Sequence, residues 1–311
     1  RGAISLRDLN LLGKVAAPRN ESLSRIARDL MLCLDPASEL QIPATKLADM
    51  EILQNVLGDA ARRRALLADG EPPALHALLQ ALDPVVARLS HEFPEIDPDK
   101  SEPLPTTVDE APLHVWARRL SDAMHLRPPR LTGSRTHNSA LLIQDPVCTV
   151  RLGANLWVQG DPVAWHGAIA LATARSLLGA SRSRSLSPPN LDLLIAACFE
   201  VVDVFNPTTA EPDPQRLRAV VGSLRNTLPR RQRKAVEGAC QALASHAFDA
   251  GVTARSTTAT DLRVAAVLIG SPGPVLATAC LLDGVVGGAL KQRVGRSKLA
   301  RDLMAWMISD D

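Results

Sequence analysis

Between Val264 and Leu290 the chain is almost wholly apolar, but the run is broken by Ser271-Pro272-Gly273-Pro274 and carries Asp283. Neither half reaches the roughly 20 apolar residues that a membrane-spanning helix needs. The pattern predicts two buried helices joined by a tight turn, and no membrane span. Such a pair needs a large surrounding core, and 311 residues can supply one. At roughly 150 residues per domain the length fits one large domain or two ordinary ones. Aromatic residues make up only 3%, with no tyrosine, so Leu, Val, Ile and Ala must fill that core. This suits packed helices better than a sandwich or barrel. With 46% apolar and 22% charged residues, wholesale disorder is excluded.

Helical periodicity dominates the pass along the chain. Ser22 precedes Leu23, Ile26, Leu30, Met31 and Leu34, and Leu47 to Leu57 and Arg62 to Leu67 suggest further short helices. Pro72-Pro73 opens a stronger one through Leu75, Leu78, Leu79, Leu82, Val85, Val86 and Leu89. Residues 92–109 are rich in proline and acid, which predicts a linker between an N-terminal helical region (1–91) and a larger unit (110–311). Within that unit a helix through Leu113, Trp116, Leu120 and Met124 leads to the only stretch with β patterning. Ala140 to Ile143 and Val147 to Leu152, separated by Gln144-Asp145-Pro146, predict a small antiparallel ribbon. Helices then return. Asp161-Pro162 and Asp213-Pro214 are N-caps followed by proline at the first helical position. Arg182 to Pro189 reads as a polar loop. Residues 190–205 are nearly all apolar and predict a central helix, followed by helices over 229–250, 256–269, 273–282 and 297–308. The fold class expected is mainly α with a small β part.

Charge and cysteine content narrow the function classes. Lys plus Arg is 35 against 33 for Asp plus Glu, so the chain lacks the surplus of a dedicated nucleic-acid binder. The clusters Arg62-Arg63-Arg64, Arg230 to Lys234 and Lys291 to Arg301 have no interleaved aromatics for stacking, and read as solvated helix faces. The five cysteines (Cys33, Cys148, Cys198, Cys240, Cys280) form no CxxC pair, and four sit in apolar stretches. An odd, scattered set predicts a reducing, cytoplasmic compartment. A start at Arg1 rather than methionine points to a fragment or a processed chain.

Familiar catalytic signatures are missing from the sequence. It has no GxxxxGK[ST], GxGxxG after a strand, GxSxG or HExxH. Gly284-Val-Val-Gly-Gly follows a helix without the Lys-Ser/Thr that would reach phosphate and magnesium, so it reads as a turn. No histidine has another at i+3 or i+4. His166 stands alone near the start of the Asp161 helix. Glu200 and Asp203, three apart, are expected on one face of a buried helix, where carboxylates need partners. An ion pair with a core arginine is the plain reading. An acid/base site of His166, Glu200 and Asp203 is the alternative.

The order of elements in the second half also carries a resemblance. Leu171-Ala172-Thr173-Ala174-Arg175-Ser176-Leu177, Thr258 to Gly270, and the helix Leu75 to Leu89 are the matching segments. They resemble myxobacterial and related deltaproteobacterial proteins that carry tetratricopeptide-type helical repeats. The C-terminal region of those proteins looks like a degenerate zinc metallopeptidase of the HExxH plus downstream Glu type. The resemblance implies a zincin-like helical domain. It places the two zinc histidines at Leu171 and Arg175, the general base at Ala172 and the third ligand at Thr258. Leucine cannot ligate zinc, a guanidinium repels it, and a methyl group cannot activate water. No metal and no cofactor are therefore expected.

The residues then point to an Arg–carboxylate bridge in place of the metal. Arg175 lies among Ala and Leu, with Asp261 as first candidate partner and Glu200 and Asp203 behind it. The expected function is a non-catalytic scaffold or interaction module of a larger bacterial assembly. Its partner would be another protein or a missing part of a longer chain; nucleic acid is not expected. Docking is placed on a strand edge over 147–156, with Val147, Val150, Leu152 and Leu156 as its apolar members.

Overall fold

The computed structural model describes residues 65–97, 102–103, 110–123, 125, 127, 129–134, 140–143, 148–158, 162–207, 212–245, 250–270 and 272–308. These form a mainly α fold with a small mixed sheet. In chain order the elements are α1 (Pro73–Val86), β1 (Glu102–Pro103), α2 (Glu110–Ala123), β2 (Arg130–Gly133), β3 (Ala140–Ile143), β4 (Thr149–Leu152) and α3 (Ala154–Val158). There follow α4 (Pro162–Leu177), α5 (Pro188–Val202), α6 (Pro214–Thr227), α7 (Arg230–Ala244), α8 (Ala250–Ile269), α9 (Pro272–Leu282), α10 (Leu290–Arg296) and α11 (Lys298–Met307). None of these helices is long and apolar enough to cross a membrane.

Two apolar clusters organise them. The first surrounds α4, whose Gly167 to Arg175 are all buried, and α9, buried from Pro272 to Leu281; α2, α3, α8, α10 and α11 close around this pair. The helices α4 and α9 touch through small residues. A methyl group on Gly167 would lie 2.1 Å from the carbonyl oxygen of Pro274, so only glycine permits this approach. Thr278 Oγ1 adds a bond to the Ala164 carbonyl at 2.8 Å. The second cluster is built by α1, α5, α6 and α7. Leu75, Leu78, Leu79, Leu82, Val85 and Val86 form the buried stripe of α1, which begins after Pro72 where no amide needs a partner.

Strand β3 belongs to both clusters. Its side chains alternate by the period of two: Ala140 and Leu142 enter the first, Leu141 and Ile143 the second. This is why it reads as a continuous apolar run rather than an alternating one. It pairs antiparallel with β4, Ala140 opposite Leu152 and Ile143 opposite Thr149. On its other side β4 pairs parallel with β2, and β1 adds antiparallel to β2, giving the order β1-β2-β4-β3.

Several expectations from the sequence need correction. The docking edge over 147–156 does not exist as drawn, because β4 is an interior strand with hydrogen-bonded neighbours on both sides. Val150 and Leu152 are fully buried in it, Leu156 is buried in α3, and Val147 lies outside the described residues. Of the two outer strands, β1 and β3, the one beside β4 is β3, which has the Ala140 carbonyl taken by Arg175 Nη1 and Ser185 Oγ, and the Leu142 carbonyl by Ser181 Oγ.

The linker over 92–109 is also not a free connection in its first part. Phe93 and Ile96 are fully buried, and Pro94–Ile96 forms a 3₁₀ turn. That turn is anchored by Arg151, itself buried, which donates to the Asp97 carbonyl at 2.5 Å and to the Glu95 carbonyl. Proline here ends one element and starts a packed turn rather than freeing the chain. Residues 98–101 and 104–109, and the helices expected before residue 65, lie outside the described residues.

Candidate functional site: a buried ion-pair cluster and its cleft

Four elements converge on one buried set of charges. Helix α4 contributes Arg175 from its last turn, where a cation favours the helix dipole. The segment after α4 makes a 3₁₀ turn over Ser183–Ser185, all three residues buried, and turns Arg184 inward. Helix α8 supplies Asp261, and the residues just before α1 supply Glu71, with His76 on α1 beside it.

The bonds are mutual. Arg175 Nε donates to Asp261 Oδ2 at 2.7 Å, and Arg184 Nη1 donates to Asp261 Oδ1 at 2.7 Å, so each carboxylate oxygen takes one guanidinium. Arg184 Nη2 pairs with Glu71 Oε1, and Arg184 Nη1 also reaches the Thr257 carbonyl at 3.2 Å. His76 Nδ1 lies 2.8 Å from Arg184 Nη2. The same Nδ1 lies 3.7 Å from Glu71 Oε1, so the imidazole sits between the guanidinium and the carboxylate. Two guanidiniums and two carboxylates leave the four-residue set neutral.

The electrostatics follow from that arrangement. Burial alone would raise the Glu71 carboxyl, but Arg184, His76 and Thr260 hold it below the usual carboxylate value. Burial would strip charge from Arg184, yet Asp261 and Glu71 push its pKa up. Full burial pushes the Asp261 carboxyl upward, against the opposing pull of Arg184 and Arg175. Charges removed from water in this way rarely add much net stability. They do specify one register, because breaking one pair strands its partner. Here the register is that of α4 on α8, with β3 fixed by the Arg175 Nη1 bond to Ala140, 2.8 Å long.

A cleft of about 520 Å³ opens beside this cluster. Arg175, Arg184, Ser185 and Thr258 line one part of it, and Leu186, Leu191, Leu282 and Leu299 form apolar walls. Arg255 also borders it. A second cleft, of about 760 Å³, shares Arg255 and Leu299 with it and is also lined by Arg263, Lys298 and Trp306.

The residues singled out from the sequence fall as follows. Leu171 and Ala172 are fully buried in α4, Arg175 pairs with Asp261, and Thr258 is half-buried on α8 with its hydroxyl on the Ala254 carbonyl at 3.0 Å. Glu200 and Asp203 are not buried carboxylates: both are exposed, and neither joins Arg175. The helix α5 turns its other sides to the core and ends at Val202. Asp203 then adopts the left-handed conformation (φ 57°) that lets Val204 N reach the Phe199 carbonyl. His166 is buried on α4 with its ring edge-on to Trp116, centroids 5.0 Å apart. The three therefore do not form one buried acid/base site.

Nothing in the sequence singles out Arg184, Glu71 or His76. Ser-Arg-Ser-Arg-Ser looks like a solvated loop, and only the neighbouring helices make it an interior one. Among the described residues, no three His, Cys, Asp or Glu side chains gather as a metal site would require. The positions that the metallopeptidase resemblance assigns to zinc do not fit the ion: an alkyl side chain, a paired guanidinium and a hydroxyl occupy them. Comparison with models of known families, with curated proteins and with solved structures finds no match for this chain.

Proposed function

We propose that the chain is a non-catalytic scaffold or protein-interaction module of a larger bacterial assembly, on the frame of a metallopeptidase that has lost its zinc site. The observation that supports this reading is the state of Arg175. Its Nε is spent on Asp261, and the other oxygen of Asp261 accepts from Arg184. A general base needs a carboxylate or imidazole with a free lone pair facing substrate. At this position the carboxylates are already engaged and the cations cannot accept a proton. A bacterial cytoplasm suits the buried free thiols of Cys148, Cys198, Cys240 and Cys280.

Two measurements test the reading together. In an extract of its own cell, the protein should sediment as part of a stoichiometric complex larger than the isolated chain. The isolated chain should hold well under one zinc per molecule by elemental analysis and leave a mixed peptide library intact in added zinc. Sedimentation as the bare chain, or cleavage of the library that a chelator abolishes, would overturn it.

A further inference from the structure

The cleft beside the ion-pair cluster carries donors that the fold does not use. Arg175 spends Nε on Asp261 and Nη1 on Ala140 and Ser185, while Nη2 has no partner among the described residues and is not sealed from solvent. Arg255, exposed at the rim, makes no hydrogen bond or ion pair among them. Arg184 keeps a buried Nε without a partner. Guanidinium N–H groups held in a partly apolar cleft gain most from a planar, bidentate acceptor.

The acids of the cleft limit what that acceptor can be. Glu95 accepts from Ser187 N at 2.6 Å and Asn190 Nδ2 at 2.7 Å, capping α5. Asp283 Oδ2 accepts from Ser297 Oγ at 2.7 Å and Leu299 N at 2.8 Å, capping α11. Both carboxylates are occupied, but both still repel a multiply charged anion, so a phosphate is disfavoured against a monoanion. Leu186, Leu191, Leu282 and Leu299 line the same cleft as the guanidiniums. The volume, about 520 Å³, falls within the roughly 300–1,000 Å³ of small-molecule sites.

We propose that this cleft binds a small monocarboxylate with an apolar body, its head on Arg255 and Arg175 Nη2 and its chain against the leucines. The inference stands apart from the scaffold reading: it concerns a ligand of the isolated chain, whereas that reading is tested by sedimentation and zinc content.

Calorimetry on the full chain with hexanoate tests it. Hexanoate should saturate at one per chain, and hexanol and inorganic phosphate should each bind about tenfold more weakly or worse, as loss of one charge-assisted contact predicts. Arg255→Gln, at an exposed side chain with no intramolecular bond, should weaken hexanoate by about tenfold. Lys298→Gln, which borders only the neighbouring cleft, should leave binding unchanged. The circular dichroism spectrum of both variants should match the parent. Absence of saturable hexanoate binding, hexanol binding equally well, or full affinity in Arg255→Gln would each overturn the proposal.

Discussion

The Nε of Arg175, in the last turn of α4, lies 2.7 Å from Oδ2 of Asp261 on α8, and both side chains are buried. This contact sits where the resemblance to a zinc peptidase would place the second metal histidine. A metal site draws helices together by sharing one cation among several ligands. Here one anion is shared by two cations, Arg175 and Arg184, so Asp261 ties α4 and the turn after it to α8.

Close packing of α4 on α9 makes Gly167 the most sensitive small residue. Gly167→Ala would push a methyl group against backbone, the Pro274 carbonyl, and should cost at least about 1–3 kcal/mol. Gly238 on α7 is the control, since nothing lies within 4 Å of an added Cβ there, and Gly238→Ala should stabilise by about 0.5–1 kcal/mol. Denaturant titration reads both. Equal midpoints for Gly167→Ala and the parent would contradict the helix crossing.

Buried thiols should be inert in the native protein. Burial raises Cys198 well above the ordinary value, Cys240 to about 12 and Cys280 to about 11. For Cys240 that leaves about a thousandfold less thiolate than an ordinary thiol has. Iodoacetamide followed by peptide mass analysis should find Cys198, Cys240 and Cys280 unlabelled until denaturant is added. Native labelling of Cys240 at the rate of a free thiol would contradict its burial.

Acid stability should depend on Glu71. Its folded pKa is held below 4.5, so its contribution is complete above that pH and is lost as pH falls through the lower folded value. Asp83 and Asp261 act with the opposite sign. Burial raises both above 3.8, so their contributions are largest in acid and decline as pH rises through the raised values. Glu71→Gln should therefore be clearly less stable than the parent at neutral pH, with the gap closing well below pH 4.5. A gap of constant size across that range would contradict the pairing of Glu71 with Arg184.

The legible and illegible parts of this fold divide by range. Local periodicity predicts α1, α4, α5 and α9 and the pairing of Ala140 to Ile143 with the following strand, because each is written in neighbouring residues. The place of β4 at the centre of the sheet depends on Arg130–Gly133, four residues whose parallel partner lies beyond β3 in the chain. Nothing in Arg-Leu-Thr-Gly announces that pairing, and so an interior strand reads as an edge. Arg175 with Asp261 could be named from the sequence, since a cation on an Ala/Leu helix needs a carboxylate. Arg184 could not, because the burial of Ser183–Ser185 is imposed by α1 and α8, distant in sequence.

The central claim is that Arg175 and Asp261 form a structural pin, and a double-mutant cycle tests it most directly. Arg175→Ala strands one side of a buried carboxylate and should cost about 3–5 kcal/mol. Asp261→Ala should cost at least as much, because it leaves two guanidiniums without their shared acceptor. In the double variant the losses should fall short of their sum by at least about 1 kcal/mol, the signature of direct coupling. Strictly additive losses in urea titration, or an Arg175→Ala protein as stable as the parent, would contradict the account.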